Sequence, residues 1–244
     1  MWGLIRRWRR RRWLREPLSA AQREIVASYL RPYRDFRPET RQAIDDRVRI
    51  LVPERQWEGC DGLRVDEEMR FAIAAQAAWM LLGTHGYFFD TIGSVLIFPD
   101  VIRRYQDGVR TEVVGEAWDV GNVVLSWPEV AWLRRDRDGT NVVIHEFAHH
   151  LDGLDGEMGG SLDFPDREDQ RRWEAVASRD YKRLLADLDA GRPTLLDPYA
   201  ATDRAEFFAV ASETFFERPH AFRRHYRDLY DLLVRFYAID PADL

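Results

Sequence analysis

Two stretches of the chain are apolar on nearly every face. Residues 66–82 (DEEMRFAIAAQAAWMLL) are rich in alanine and large apolar side chains, which predicts a buried helix. Val142, Val143, Ile144, Phe147, Ala148 and Leu151 predict a second one over 141–152, capped by Thr140 or Asn141 and stopped by Gly153. Between them the pattern shortens to β-branched and aromatic runs. Tyr87–Phe89, Val95–Phe98, Val113–Val114 and Asn122–Trp127 read as strands, with Gly93 and Pro99 at turns and Pro128 closing the last. Residues 18–52 read as helical, interrupted near Pro32 and Pro38 and closed by Pro53. Helical periodicity returns near 168–190, 203–217 and 220–237, and the glycine-rich stretch 153–166 reads as a loop. This order predicts an α+β domain over 17–244, predominantly helical with a small mixed sheet at about 87–127, behind a tail of residues 1–16.

Charge changes the picture at the N-terminus. Residues 1–15 (MWGLIRRWRRRRWLR) hold seven arginines interleaved with Trp2, Trp8 and Trp13. The remainder has 29 basic and 42 acidic residues, a balance of −13 within a whole-chain charge of −6. Such a tail can make a weak contact with an anionic surface. Drawn as a helix, however, its apolar residues spread over about half the circumference with arginines among them, and a solvated, mobile extension is expected. The acidic remainder gives no reason to expect a specific nucleic-acid partner. A single cysteine, Cys60, excludes an intramolecular disulfide. No apolar run approaches the roughly 20 residues that span a bilayer, and the basic start lacks the apolar core of a signal peptide. The expected setting is the cytoplasm.

The sharpest chemistry lies in the second apolar helix. His145 and His149 are four residues apart, so both imidazoles can face one ion, and Glu146 follows the first as a candidate base for a bound water. A helix with histidines on a solvated face would be the ordinary alternative. Here the flanking residues bury them, and burying two histidines and a glutamate costs several kcal/mol unless they are paired or bound to metal. The expectation is one Zn2+ per chain, activating water for peptide hydrolysis. His150, about 100° further round the helix, cannot share that face.

A catalytic zinc takes a third protein ligand. Asp155 and Glu157 lie in the glycine-rich loop, and Glu168 opens a very polar stretch. Glu206 and Glu213, within DRAEFFAVASETFFE, stand on one face of an apolar helix, where a carboxylate wants a cation. For Glu206 the alternative is a capping box with Asp203. These residues leave Glu206 and Glu213 evenly matched. His85, His220 and His225 read as structural or solvated.

NVVIHEFAHHLD, the preceding GNVVLSW and the later LDPYAATDRAEFFAVASETFF together resemble the Mlc titration factor A family of bacterial zinc peptidases. The likeness runs, more weakly, from about residue 50 to the C-terminus. It implies a zincin-like metallopeptidase fold with Glu206 as third ligand and Tyr199 as an active-site residue that donates to an oxyanion. It also implies aminopeptidase-type activity on short peptides and, as an alternative role, sequestration of a transcriptional repressor. Glu213 and Asp152 are then candidates to orient the ligands. By analogy with zincins, the strand at Asn122, Val124 and Ser126 is a candidate to pair with substrate backbone. Thr214 stands where many members have an aromatic residue, and the arginine-rich start has no counterpart in the family pattern.

Overall fold

A computed structural model describes residues 2–100, 121–135, 139–155 and 159–244. The chain divides into two compact units, residues 1–135 and 136–244.

In the first unit, helix α1 (Trp2–Trp13) precedes α2 (Ala20–Tyr29), which starts at a reciprocal cap between Ser19 and Gln22. A 3-10 turn at Arg31–Arg34 leads to α3 (Pro38–Glu54). Pro38 therefore opens a helix, since its missing N–H lies where no intrahelical partner exists. Helix α4 (Glu67–Met80), capped by Asp66, is the unit's core: every residue from Phe71 to Met80 is buried. Strands β1 (Gln56–Gly59), β2 (Ser94–Phe98) and β3 (Asn122–Ser126) form a sheet in that order, pairing Gln56 with Ser94 and Ser94 with Asn122. Both pairings are parallel, so among the described residues the sheet is not the mixed one expected. The chain between β1 and β2 contains α4, a connection long enough to return parallel. A short helix, α5 (Trp127–Trp132), follows β3 directly.

Two further expectations in this unit are overturned. Tyr87–Phe89 is not a strand: the Arg55 guanidinium donates to the carbonyls of Phe88 and Phe89, and Phe89 takes a left-handed φ of 51° that no ladder accommodates. The tail is not a mobile extension either. It is helical, and Arg10 bonds Glu54 at 2.6 and 2.9 Å and Asp90 at 2.5 Å while lying over the Phe88 ring. The strand expected at Val113–Val114 lies outside the described residues.

The second unit is helical among its described residues. Helix α6 (Val142–Asp152) is capped by the Asn141 side chain and ends at Gly153, where a 3-10 turn runs to Asp155. Helix α7 (Arg167–Asp189) buries Trp173, Ala177, Asp180 and Leu184, one stripe at helical spacing. After a 3-10 turn at Pro198–Ala201 come α8 (Arg204–Glu217), α9 (Pro219–His225) and α10 (Arg227–Tyr237). The single helix expected over 220–237 is thus two. Tyr226 breaks it at φ −133°, ψ 52°, and its buried ring sits beneath the Arg183 guanidinium at 4.2 Å. Phe208, Phe215 and Phe216 of α8 form an aromatic core with Phe222 of α9 and Tyr230 and Tyr237 of α10. Among the described residues no helix is long and apolar enough to cross a membrane.

Candidate metal centre

The centre is built by α6 packing against α8. One turn of α6 brings His145 Nε2 and His149 Nε2 to 3.1 Å, their rings edge-on at 76°. Glu206, in the first turn of α8, places Oε2 at 3.0 Å from His145 Nε2 and 3.2 Å from His149 Nε2. Among the described residues this is the one cluster of three ligating side chains whose donor atoms converge.

The donor set fits a small tetrahedral cation. Bonds of 2.0–2.1 Å in a tetrahedron separate donor atoms by about 3.3 Å, and the three separations here fall just inside that. The tautomer of His145 agrees. Its Nδ1 lies 2.6 Å from Glu213 Oε1, whose partner oxygen accepts the Asn141 amide at 2.6 Å. Glu213 therefore accepts at both oxygens, holds the proton on Nδ1, and turns the Nε2 lone pair toward Glu206. Two lone pairs and a carboxylate oxygen at 3 Å repel one another unless something positive lies between them. Burial alone would raise the Glu206 pKa; without an ion, that is outweighed when the imidazoles take up protons, since their hydrogen bonds and charges then hold the carboxyl well below the usual range.

Glu206 and Glu213 are both used, one on each side of the His145 ring. They are seven residues apart on one face of α8, so the same helix can supply a donor atom and brace the ring opposite it. The cap expected at Asp203 also forms, but through the Glu206 backbone amide at 2.9 Å. The side chain is left for the histidines. Glu217, one turn beyond Glu213, accepts from Asn141 Nδ2 at 2.6 Å. Asn141 thus caps α6 and ties its start to α8, so the histidines and carboxylates are held in register. That double role went unread in the sequence, although Glu217 continues the face of Glu206 and Glu213.

Tyr199 stands on the Pro198–Ala201 turn, where Asp197 accepts its backbone amide at 2.8 Å. Its hydroxyl donates to Glu206 Oε1 at 3.0 Å, and its ring centre is 6.0 Å from that of His145. Beside it opens a cleft of about 470 Å³ lined by Leu196, Tyr199, Val210, Glu213, Thr214 and Arg218. Glu146 is wholly buried, directly after the first histidine. Asp152, also buried, accepts the Gly160 amide at 2.9 Å and so anchors the segment after the loop. Gly160 has φ +68°, and a Cβ there would meet the Arg204 carbonyl at 2.3 Å. Glu168 is exposed in the first turn of α7, Glu157 lies outside the described residues, and His85, His220 and His225 are exposed. Asn122, Val124 and Ser126 lie on β3 of the first unit, an edge strand among the described residues.

The family described as glucose-regulated metallo-peptidase M90 matches residues 5–238. An uncharacterised protein of Synechocystis sp. is 34% identical over 245 residues, covering 96% of this chain and 89% of its own. A protein named Mlc titration factor A, from Salmonella arizonae, is 31% identical over 203 residues, 79% of this chain and 80% of its own.

Proposed function

The chain belongs to the glucose-regulated metallo-peptidase M90 family, which includes Mlc titration factor A, and from that premise we propose a zinc-dependent peptidase of zincin type acting on short peptides. The observation that carries the reading is the convergence of His145, His149 and Glu206 within 3.0–3.2 Å, with Glu213 fixing the His145 tautomer. These three residues would hold the ion. Bound there, zinc supplies Lewis acidity, bringing the pKa of water toward about 7 and polarising a peptide carbonyl.

The protein's own groups do the rest. Glu146 takes the proton of the attacking water and delivers it to the leaving amine. The Tyr199 hydroxyl, which donates to Glu206 at rest, donates to the substrate oxygen as negative charge develops on it. Glu213 keeps His145 oriented throughout. Asn122, Val124 and Ser126 remain the proposed backbone partners of the peptide, and the lone cysteine supports a cytoplasmic setting.

The test is hydrolysis of amino-acid p-nitroanilides and a peptide mixture by metal-stripped protein titrated with zinc, beside Glu146→Gln. Activity restored by one equivalent of zinc and lost about 10²–10⁴-fold in the variant is expected. Stripped protein that binds no zinc overturns the reading. The name of the Salmonella relative, Mlc titration factor A, favours a second role, binding of a repressor protein. If that role is separate, Glu146→Gln binds the repressor as the unaltered protein does.

A further inference from the structure

Helix α1 has two faces, and the metal centre accounts for neither. At about 100° per residue, Arg6, Arg10 and Trp13 share one arc of the helix and Leu4, Ile5 and Trp8 share the opposite one. The first arc is fastened to the protein. Arg10 reaches Glu54 and Asp90, Arg6 meets Asp90 at 3.0 Å, and the Trp13 carbonyl accepts from Arg49 at 3.3 Å. The second arc faces solvent, with Leu4 72%, Trp8 60% and Ile5 53% exposed. Arg12, on the same arc, and Arg11, beside it, are exposed as well.

This arrangement is costly in water alone. Large apolar side chains gain nothing there, and like charges four apart, as at Arg7 and Arg11, destabilise a helix. A medium that is apolar just below an anionic surface answers both. Leu4, Ile5 and Trp8 would enter the boundary of the acyl chains, while Arg11 and Arg12 stay among the phosphates. A nucleic acid would satisfy the arginines but leave Leu4 and Ile5 exposed.

We propose that α1 is an interfacial helix, docked to the first unit through Arg6 and Arg10, that seats the protein on an anionic lipid surface through Leu4, Ile5, Trp8, Arg11 and Arg12. Residues 16–244 carry a net charge of −13, so attraction to such a surface comes chiefly from the arginine-rich start. Nothing in the proposal depends on the peptidase reading.

The experiment is flotation of the full chain with vesicles of phosphatidylcholine alone and with phosphatidylglycerol added, at low and high salt. Binding is expected only to the anionic vesicles, weakening as salt rises. Arg11→Gln with Arg12→Gln should reduce partitioning about 25-fold, near fivefold for each charge. Leu4→Ser, Ile5→Ser and Trp8→Ser together should reduce it at least tenfold, with unchanged circular dichroism and melting showing that the fold persists. Failure of the unaltered protein to float with anionic vesicles overturns the proposal. So does equal binding by the triple serine variant, which would mean bare charge attraction. Retention of a short RNA duplex by that variant, with no flotation of the unaltered protein, would assign the arginines to nucleic acid instead.

Discussion

Ionisable side chains crowd together in two places, at α6 and α8 and along α1, and solvent separates their consequences. At the first, His145, His149 and Glu213 expose less than a tenth of their side chains and Glu206 only 12%. Every donor there must be matched, because an unmatched buried charge costs several kcal/mol. The result is an ordered set in which each contact has a geometric purpose. Along α1 only Arg10 is shielded by its partners; the other arginines lie in water, where a charge needs no partner and reveals little about what it is for. Burial makes a charged cluster legible, and exposure makes it ambiguous.

Metal removal is the strongest way to break this contrast. If the buried donors are matched by an ion, the zinc-loaded protein at a thousandfold excess over its dissociation constant is stabilised by about 4 kcal/mol relative to the chelated form. Melting followed with and without chelator reads this directly. Equal melting of the two forms would mean that the donors are satisfied among themselves.

Glu213→Gln sharpens it further. The amide oxygen can still accept from His145 Nδ1, but the amide nitrogen is then set against the Asn141 N–H, where Glu213 Oε2 now accepts at 2.6 Å. Zinc affinity should fall about 10–100-fold through loss of ring orientation, with helix content unchanged. Zinc titration by calorimetry decides, and undiminished affinity would remove Glu213 from the account of the centre.

The same contrast explains what could be read from residues alone. The α6 helix was legible because two histidines and a glutamate sat among Val142, Val143, Ile144, Phe147 and Ala148, where only a partner makes burial tolerable. Which of Glu206 and Glu213 faces Nε2 was not, because residues seven apart share a helix face and only the packing of α6 on α8 tells the two sides of one ring apart. The resemblance pointed to Glu206, and Glu206 lies at the Nε2 side. Strand direction, the docking of α1 and the turn at Tyr87–Phe89 were hidden for a common reason: each depends on partners distant in the chain. Arg55 is 34 residues from the Phe89 carbonyl it binds, and Arg10 is 80 from Asp90. The break at Tyr226 is set by burial of its ring beneath Arg183, on another helix.

On the exposed side, Arg10 is the exception that tests the rule. Arg10→Gln removes charge-assisted bonds to Glu54 and Asp90 and leaves the Glu54 carboxylate, 9% exposed, with Arg55 at 3.9 Å. Destabilisation of about 1–2 kcal/mol is expected, together with faster amide exchange along α1. Unchanged exchange would mean that the helix is held by its other contacts.

Arg34 and Glu24 complete the comparison from the other end. Their ion pair is short, 2.5 Å, yet both side chains are 61% exposed. Water solvates each charge nearly as well as its partner does, and two flexible side chains lose rotamer freedom in holding the contact. Arg34→Ala should therefore change stability by less than about 1 kcal/mol in a denaturant titration. Arg10 and Arg34 make salt bridges of similar length, so a loss at Arg34 as large as that at Arg10 would show that length, rather than exclusion of water, sets the worth of a charge pair in this protein.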